Sequence, residues 1–573
     1  MNQPTPAIVA QAAVRRLPRA ALLLFCLAYV LPGFVWRDPW RSADITAFGY
    51  MLELASNTTS WLDPRLMGQP PQVDALLPYW LGAWALQLAP GWMAPDFAVR
   101  IPFIALLTLT LVAVWQGIYY LARSPLAQPV AFAFGGEARP TDYARAMADG
   151  GLLAFMACLG LAQLSHETTP AVAQLCFSAL AFYAVAAMPY RRLGPILAGT
   201  ASLLGLTLSG APAMAVLFGA GSVAIHLLDR SHATREVGPL MRWDRRWAWG
   251  MALLTLLAAG LATALDLWHW SIEPPPLKWE TWHGLGSLLL WFTWPAWPLV
   301  LWTLWRWRHQ LFSTHVRRHL ALPLWFALVT VAATLVTPAS DRALLLALPS
   351  LATLAAFALP TLERNVSALI DWFTLLFFTG CAFIIWVVWI AMQTGFPPQP
   401  AANVARLAPG FEAGFTLLPF VFATLATLAW AWLVKWRVGR HRAAIWKSLV
   451  LPAGGAALCW LLLTTLWMPL LDFARSYEPL VRRVETIVKP AECIETFGLK
   501  PGLHTAFRFY SPLTLKAGGA QKGCSWLVID KDALFMLPGV VNPAQWREHQ
   551  TLGHPREGEE DLVIYRRVTR AGS

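Results

Sequence analysis

The chain has 573 residues, of which 57% are hydrophobic and only 13% charged, with 32 tryptophans and a mean hydropathy of +0.49. Those figures exclude an ordinary soluble domain and belong to the polytopic membrane class. The formal charge of +12 does not signal a nucleic-acid partner: the Lys and Arg residues fall in short clusters between apolar segments, the distribution that sets membrane topology.

Taking roughly 17 to 25 apolar residues as one span, about thirteen segments qualify. The first, residues 20–36, follows Arg15, Arg16 and Arg19 and lacks a small-x-small cleavage site, so it is expected to be a retained signal anchor with its N-terminus in the cytoplasm. Residues 37–94 then form a first outer loop that cannot cross a bilayer, since it carries Asp44, Glu53, Asp63, Arg65, Asp74 and the pair Pro70-Pro71. Within it Ile45, Phe48, Met51, Leu52 and Ala55 recur at helical spacing directly behind Asp44. That pattern predicts an amphipathic helix headed by a carboxylate.

Further spans are expected at 99–121, at 150–163 after a cytoplasmic linker that includes residues 135–150, and in a returning segment that ends at Arg191-Arg192. They continue at 196–208, 214–227, 247–265 and 288–304, in two segments bracketing the turn 338–342, at 370–391, in a segment ending at Lys435 to Arg442, and at 449–471. The inner turns are basic, apart from Glu363-Arg364, and the outer ones are richer in Pro, Trp and acids, which orients the chain with its C-terminus outside.

From about Ala474 the composition becomes that of a soluble module, so residues 1–473 are read as the membrane domain and 474–573 as a small outer α/β domain. Residues 476–488 have helical spacing, and 504–513, 524–530 and 561–568 read as strands. Cys26, Cys158, Cys176, Cys381 and Cys459 lie in apolar segments and read as packing residues. Cys493 and Cys524 lie in the C-terminal part, where they can pair if it is outside the cytoplasm; the alternative is two buried thiols.

The outer loops pool Asp44, Asp74, His166, Glu167, His269, Lys278, His283, Asp341, Arg342 and Arg406. Acids and cations meeting at the mouth of an apolar cavity suit an enzyme acting on an amphiphile with an anionic head group: Lys or Arg would meet its phosphate, and a carboxylate would serve as general base. Each residue also has a plainer reading. Asp44 is a favoured N-cap type, and His166 to Pro170 is a good helix start. Lys278 and Arg342 suit snorkelling at the interface. His269 and His283 lack the helical spacing of a metal-ligand pair.

Several segments stand in a characteristic order: Asp44-Ile45, Trp61-Leu62-Asp63-Pro64, Met67-Gly68 and Leu77-Pro78-Tyr79-Trp80-Leu81, then Phe97 to Pro102, and Asp341 to Pro349. As a set this resembles the GT-C membrane glycosyltransferases, specifically the aminoarabinose transferase and protein mannosyltransferase-like group, over essentially the whole chain. The resemblance implies an all-α polytopic membrane protein of about thirteen spans, with outer juxtamembrane helices and a small C-terminal α/β periplasmic domain, in the bacterial inner membrane. It implies transfer of a sugar from an undecaprenyl-phosphate-linked donor to a lipid A, glycolipid or protein acceptor at the periplasmic face, among membrane lipids and without nucleic acid.

The family's catalytic Asp falls on Asp44. Its second Asp is nearest Glu167, although another register puts Pro170 there. The family's Glu after the first Asp is Ile45 here, its following Arg is Ala47, and its Lys before the Pro pair falls on Asp74. Lys278 and Arg342 are therefore the expected substitutes at the donor phosphate, with Asp74, Tyr79, His166, His269 and His283 as further pocket residues. No cofactor is implied with certainty, and a divalent metal ion is left open. A transporter or flippase for lipid-linked precursors and a catalytically inactive relative are the competing readings.

Overall fold

The computed structural model describes residues 5–229, 245–268, 272–313, 315–337, 340–438, 444–489, 491–517, 524–539, 545–553 and 561–568. The first helix, α1 (Arg19–Val30), is followed by α2 (Ala43–Ala55), α3 (Leu77–Leu88), α4 (Pro95–Ala122), α5 (Pro140–Ala157), the short α6 (Leu161–Leu164), α7 (Pro170–Ala187), α8 (Leu193–Leu208) and α9 (Pro212–Leu228). Then come α10 (Arg245–Ala264), α11 (Trp279–Phe292), α12 (Ala296–Arg306), α13 (Arg308–Leu311), α14 (Arg318–Val336), α15 (Ser340–Leu345), α16 (Leu348–Ala358), α17 (Arg364–Thr394), α18 (Pro398–Leu407) and α19 (Leu417–Val438). The last are α20 (Val450–Leu466), α21 (Met468–Arg475), α22 (Glu478–Val488) and α23 (Pro501–Tyr510). Pro95, Pro140, Pro170 and Pro212 each open their helix, where proline's fixed φ suits the first turn and its missing N–H costs nothing.

Each expected apolar segment falls on a helix, but the helices differ in length. Among the described residues seven are long and apolar enough to cross a membrane: α4, α7, α10, α14, α17, α19 and α20 with the turn before it. A bent pair makes up to eight, and four shorter apolar helices include α1, α8 and α9. The pair is α11 and α12, which meet at 85°, so the expected straight span at 288–304 is broken. The linker expected to run to residue 150 is instead helical from Pro140, because Tyr143, Ala144, Ala146 and Met147 supply a fully buried face. Helix α4 sits centrally, packed on α3, α5 and α7.

In the C-terminal part, among the described residues, five strands form one sheet in the order β2-β1-β3-β5-β4, with β1 (Cys493–Phe497), β2 (Thr514–Ala517), β3 (Trp526–Asp530), β4 (Trp546–Gly553) and β5 (Asp561–Arg567). β1 runs parallel to β2 and β3, while β5 runs antiparallel to β3 and β4. Cys493 and Cys524 are joined in a disulfide. The helix expected at 476–488 and the strands expected at 524–530 and 561–568 are present as α22, β3 and β5. The segment 504–513 is not a strand. It lies mostly in α23, whose Leu503, Ala506, Phe507 and Tyr510 form one buried face at helical spacing, and tertiary packing overrides the β propensity of its aromatics.

Helix α23 also positions the site, because it packs on α2. Phe48 meets Phe509 edge-on at 5.1 Å between ring centroids, and Arg508 pairs with Glu53. Gly49 permits the close approach: a Cβ there would stand 2.2 Å from Thr505 Oγ1. Gly49→Ala is therefore expected to destabilise the protein, since overpacking of about 1–3 kcal/mol outweighs a gain in helix propensity of about 1 kcal/mol. Thr505→Ala in the same chain removes the nearest atom but leaves Leu66 Cδ2 at 2.9 Å from the added Cβ, so it should restore only part of the lost stability in thermal unfolding.

Candidate active site

The helix expected behind Asp44 is α2, and eight of its residues are buried, including Ile45, Phe48 and Met51. Asp44 is not its N-cap. That position is Ser42, held at φ +69° with its hydroxyl accepting from the Ala43 N–H at 2.7 Å. The Asp44 carboxylate instead reaches outward from the first turn and is 3% exposed. Its Oδ1 accepts from the Thr168 N–H at 2.8 Å and the Thr168 hydroxyl at 2.7 Å. Its Oδ2 accepts from the Trp40 N–H at 3.3 Å and from the Arg37 guanidinium. Burial opposes ionisation, but Arg37, the two Thr168 bonds and Arg100 outweigh it and hold the carboxyl below the usual carboxylate range.

Thr168 belongs to the segment His166 to Thr169 that leads into α7, so this segment meets α2 through Asp44. Glu167 is also buried, at 6% exposure. Its Oε2 pairs with Arg342 Nη2 at 3.1 Å, and its Oε1 accepts from Gln163 Nε2 at 3.4 Å. Burial first and the Asp44 charge second push its carboxyl above the ordinary range, against the pull of Arg342 and Arg37. The structure thus brings Asp44, Glu167 and Arg342 together, with their partners drawn from four separate stretches of chain. The two neighbouring carboxyls are driven in opposite directions by their surroundings.

His166 is fully buried among the rings of Tyr29, Phe34 and Trp460. Its ring nitrogens face the carbonyls of Ala162, Tyr29 and Val30, the last two at 3.1 Å, so it ties this segment to the open C-terminal carbonyls of α1. Gly33 makes room for it: a Cβ there would stand 2.3 Å from His166 Cδ2. Burial pushes the imidazole down to about 4, leaving it neutral near pH 7. This histidine is a strut rather than a pocket wall.

The other expected site residues lie elsewhere. Asp74 is half-buried, and its charge acts on Tyr50 and Tyr79. Tyr79 is buried on α3 with its ring 5.4 Å from that of Tyr50. Lys278 is exposed at the start of α11 and makes no ion pair among the described residues. His283 is exposed on α11, near the Trp279 ring. His269 lies outside the described residues. Among the described residues no three His, Cys, Asp or Glu side chains come together in a way that could hold a metal ion.

Sequence reasoning missed Arg37, Trp40 and Asp472, and it quoted Thr168 and Arg100 only as parts of longer segments. Arg37 is fully buried against Asp44, and its guanidinium lies over the Trp40 ring at 4.6 Å. Arg100 on α4 is 3% exposed, pairs with Asp96 at 3.2 Å and donates to the Phe34 carbonyl at 3.3 Å. Arg37 Nε and Nη1 and Arg100 Nη2 are buried without a hydrogen-bond partner among the described residues. An arginine inside a span as apolar as α4 was the available signal. On the far side of Trp40, Asp472 of α21 accepts from the indole N–H at 2.7 Å. Burial and the charge of Asp38 push Asp472 up to about 7, and burial with Glu478 pushes Asp38 up to about 6.

Two solved structures share this architecture. ArnT from Cupriavidus metallidurans bound to undecaprenyl phosphate matches with a TM-score of 0.57 at 13% identity, over 97% of this chain and 99% of that one. The apo state of ArnT from the same organism matches with a TM-score of 0.56 at 14% identity, over 95% and 98% of the two chains. The chain therefore has an ArnT-like GT-C fold, a multi-pass helical bundle with a small C-terminal sheet. No family model matches the sequence, and no curated protein does.

Proposed function

We propose that this protein is a polyprenyl-phosphate-dependent glycosyltransferase of the bacterial inner membrane, acting at the periplasmic face on a lipid A, glycolipid or protein acceptor. The observation that carries the reading is the set of two buried carboxyls and three arginines around α2, in a chain whose fold is that of a protein bound to undecaprenyl phosphate. In this reading residues 474–573 form the periplasmic module, gripping α2 from outside.

The chemistry is one displacement. The acceptor oxygen attacks the anomeric carbon, the bond from that carbon to the phosphate oxygen breaks, and the lipid phosphate leaves without needing a proton at neutral pH. The acceptor proton passes to a carboxylate. Asp44 already accepts four hydrogen bonds and is held strongly ionised, so it is suited to fixing Arg37 and the 166–169 segment. Glu167, with its raised pKa and fewer donors, is the better proton acceptor. Arg342, partly exposed, would meet the phosphate, while Arg37 and Arg100 add buried positive potential behind it.

The saturation of Asp44 also favours a second reading, a GT-C relative that no longer catalyses transfer. The test uses the purified full chain. Undecaprenyl phosphate should raise its thermal midpoint and undecaprenol should not, and a deletion strain should lose a sugar mass from lipid A, another surface glycolipid or a protein. Equal shifts with both lipids would remove the phosphate-linked donor from the reading. A lipid-specific shift with no missing sugar would support the inactive relative.

A further inference from the structure

We infer that Trp40, Asp472 and Arg475 form a clamp in which α21, the short helix after α20, positions Arg37 against Asp44. It rests on the transferase reading only for its effect on rate. The turn between α1 and α2 has no hydrogen-bonded ladder of its own over residues 37–41, yet it must hold a buried guanidinium in place. Its fixed points lie on α21, more than 400 residues away. Asp472 Oδ1 accepts the Trp40 indole N–H at 2.7 Å and the Asp38 N–H at 3.3 Å, across sequence separations of 432 and 434. The Arg41 N–H donates to the Arg475 carbonyl at 2.7 Å. The Arg475 guanidinium lies over the same Trp40 ring that Arg37 covers, at 4.8 Å and 4.6 Å from its centroid.

Trp40 thus connects the two halves. Its backbone N–H binds Asp44 Oδ2, its ring face carries Arg37, and its indole edge is anchored to α21. A one-ångström error in such a shell can cost about a hundredfold in rate. These are positioning residues: Trp40 touches Arg37 and Asp44, and Asp472 and Arg475 act on them through Trp40 and its neighbours Asp38 and Arg41.

The test is hydrogen exchange of residues 37–44 in the purified full chain, read beside the kcat and KM of transfer. Trp40→Phe removes the indole donor and keeps a ring, and Asp472→Ala removes its acceptor. Each should raise exchange in 37–44 and lower kcat about ten- to hundredfold with KM changed much less. The double variant should be no worse than Asp472→Ala alone, because that substitution already breaks the contact Trp40→Phe removes. Asp472→Asn, whose amide oxygen still accepts, should recover most of what Ala loses. Unchanged exchange would overturn the clamp, and raised exchange with normal kcat would overturn its positioning role. A wild type that transfers nothing would sink the transferase reading, and the exchange measurement would still decide the clamp.

Discussion

Asp44→Ala should destabilise the protein by about 3–5 kcal/mol, and adding Arg37→Met should return most of that loss. The Arg37 side chain is wholly buried, and Asp44 is the acid with which it forms an ion pair. Removing the acid strands a guanidinium whose Nε and Nη1 already have no hydrogen-bond partner among the described residues. Removing both charges replaces an ion pair with apolar volume, which is commonly neutral or stabilising. Thermal unfolding of the two variants in one detergent checks this. If the double variant is no more stable than Asp44→Ala, the loss comes from the Thr168 bonds and not from the stranded charge. Neither variant should transfer sugar, so stability and activity should part company in the double variant.

Glu167→Gln should lower kcat/KM by about 10²–10⁴-fold and flatten its pH dependence. Burial and the Asp44 charge keep the Glu167 proton on to a higher pH than an exposed carboxyl would. The base form therefore grows as pH rises, and wild-type kcat/KM should climb with pH through that raised value and then level off. A glutamine cannot titrate, so its profile should be flat over the same interval. Asp44→Asn removes a neighbouring negative charge, and the climb in that variant should move to lower pH. A Glu167→Gln enzyme with an unchanged profile would exclude this residue as the proton acceptor and return the role to Asp44.

Part of this site was legible in the sequence. Asp44 stood out because a carboxylate led an amphipathic run just after a membrane span, and the helix behind it is there. Glu167 and Arg342 were named on separate grounds, and the structure joins them as one ion pair. Thr168, beside a residue that was named, gave no signal, since a threonine before a helix-opening proline reads as ordinary helix-start chemistry. Arg37 was passed over because an arginine next to a membrane exit normally reads as a snorkelling residue, whereas here α2, α4 and the 166–169 segment close around it.

By itself the sequence determined the apolar helices, the helix headed by Asp44, the strands β3 and β5, and two cysteines placed where they could pair. All of these follow from apolar length and from periods of 2 or 3.6, which act over a few neighbouring residues. Tertiary structure alone decided the bend between α11 and α12, the helical state of α23, and the partners that Asp44, Glu167 and Trp40 find in distant stretches of chain. The reason is physical: a charge in a low-dielectric interior is stable only where an opposite charge or a donor reaches it, and that depends on distance in space. For Asp472 and Trp40 that partner lies 432 residues away along the chain, beyond the reach of any local pattern.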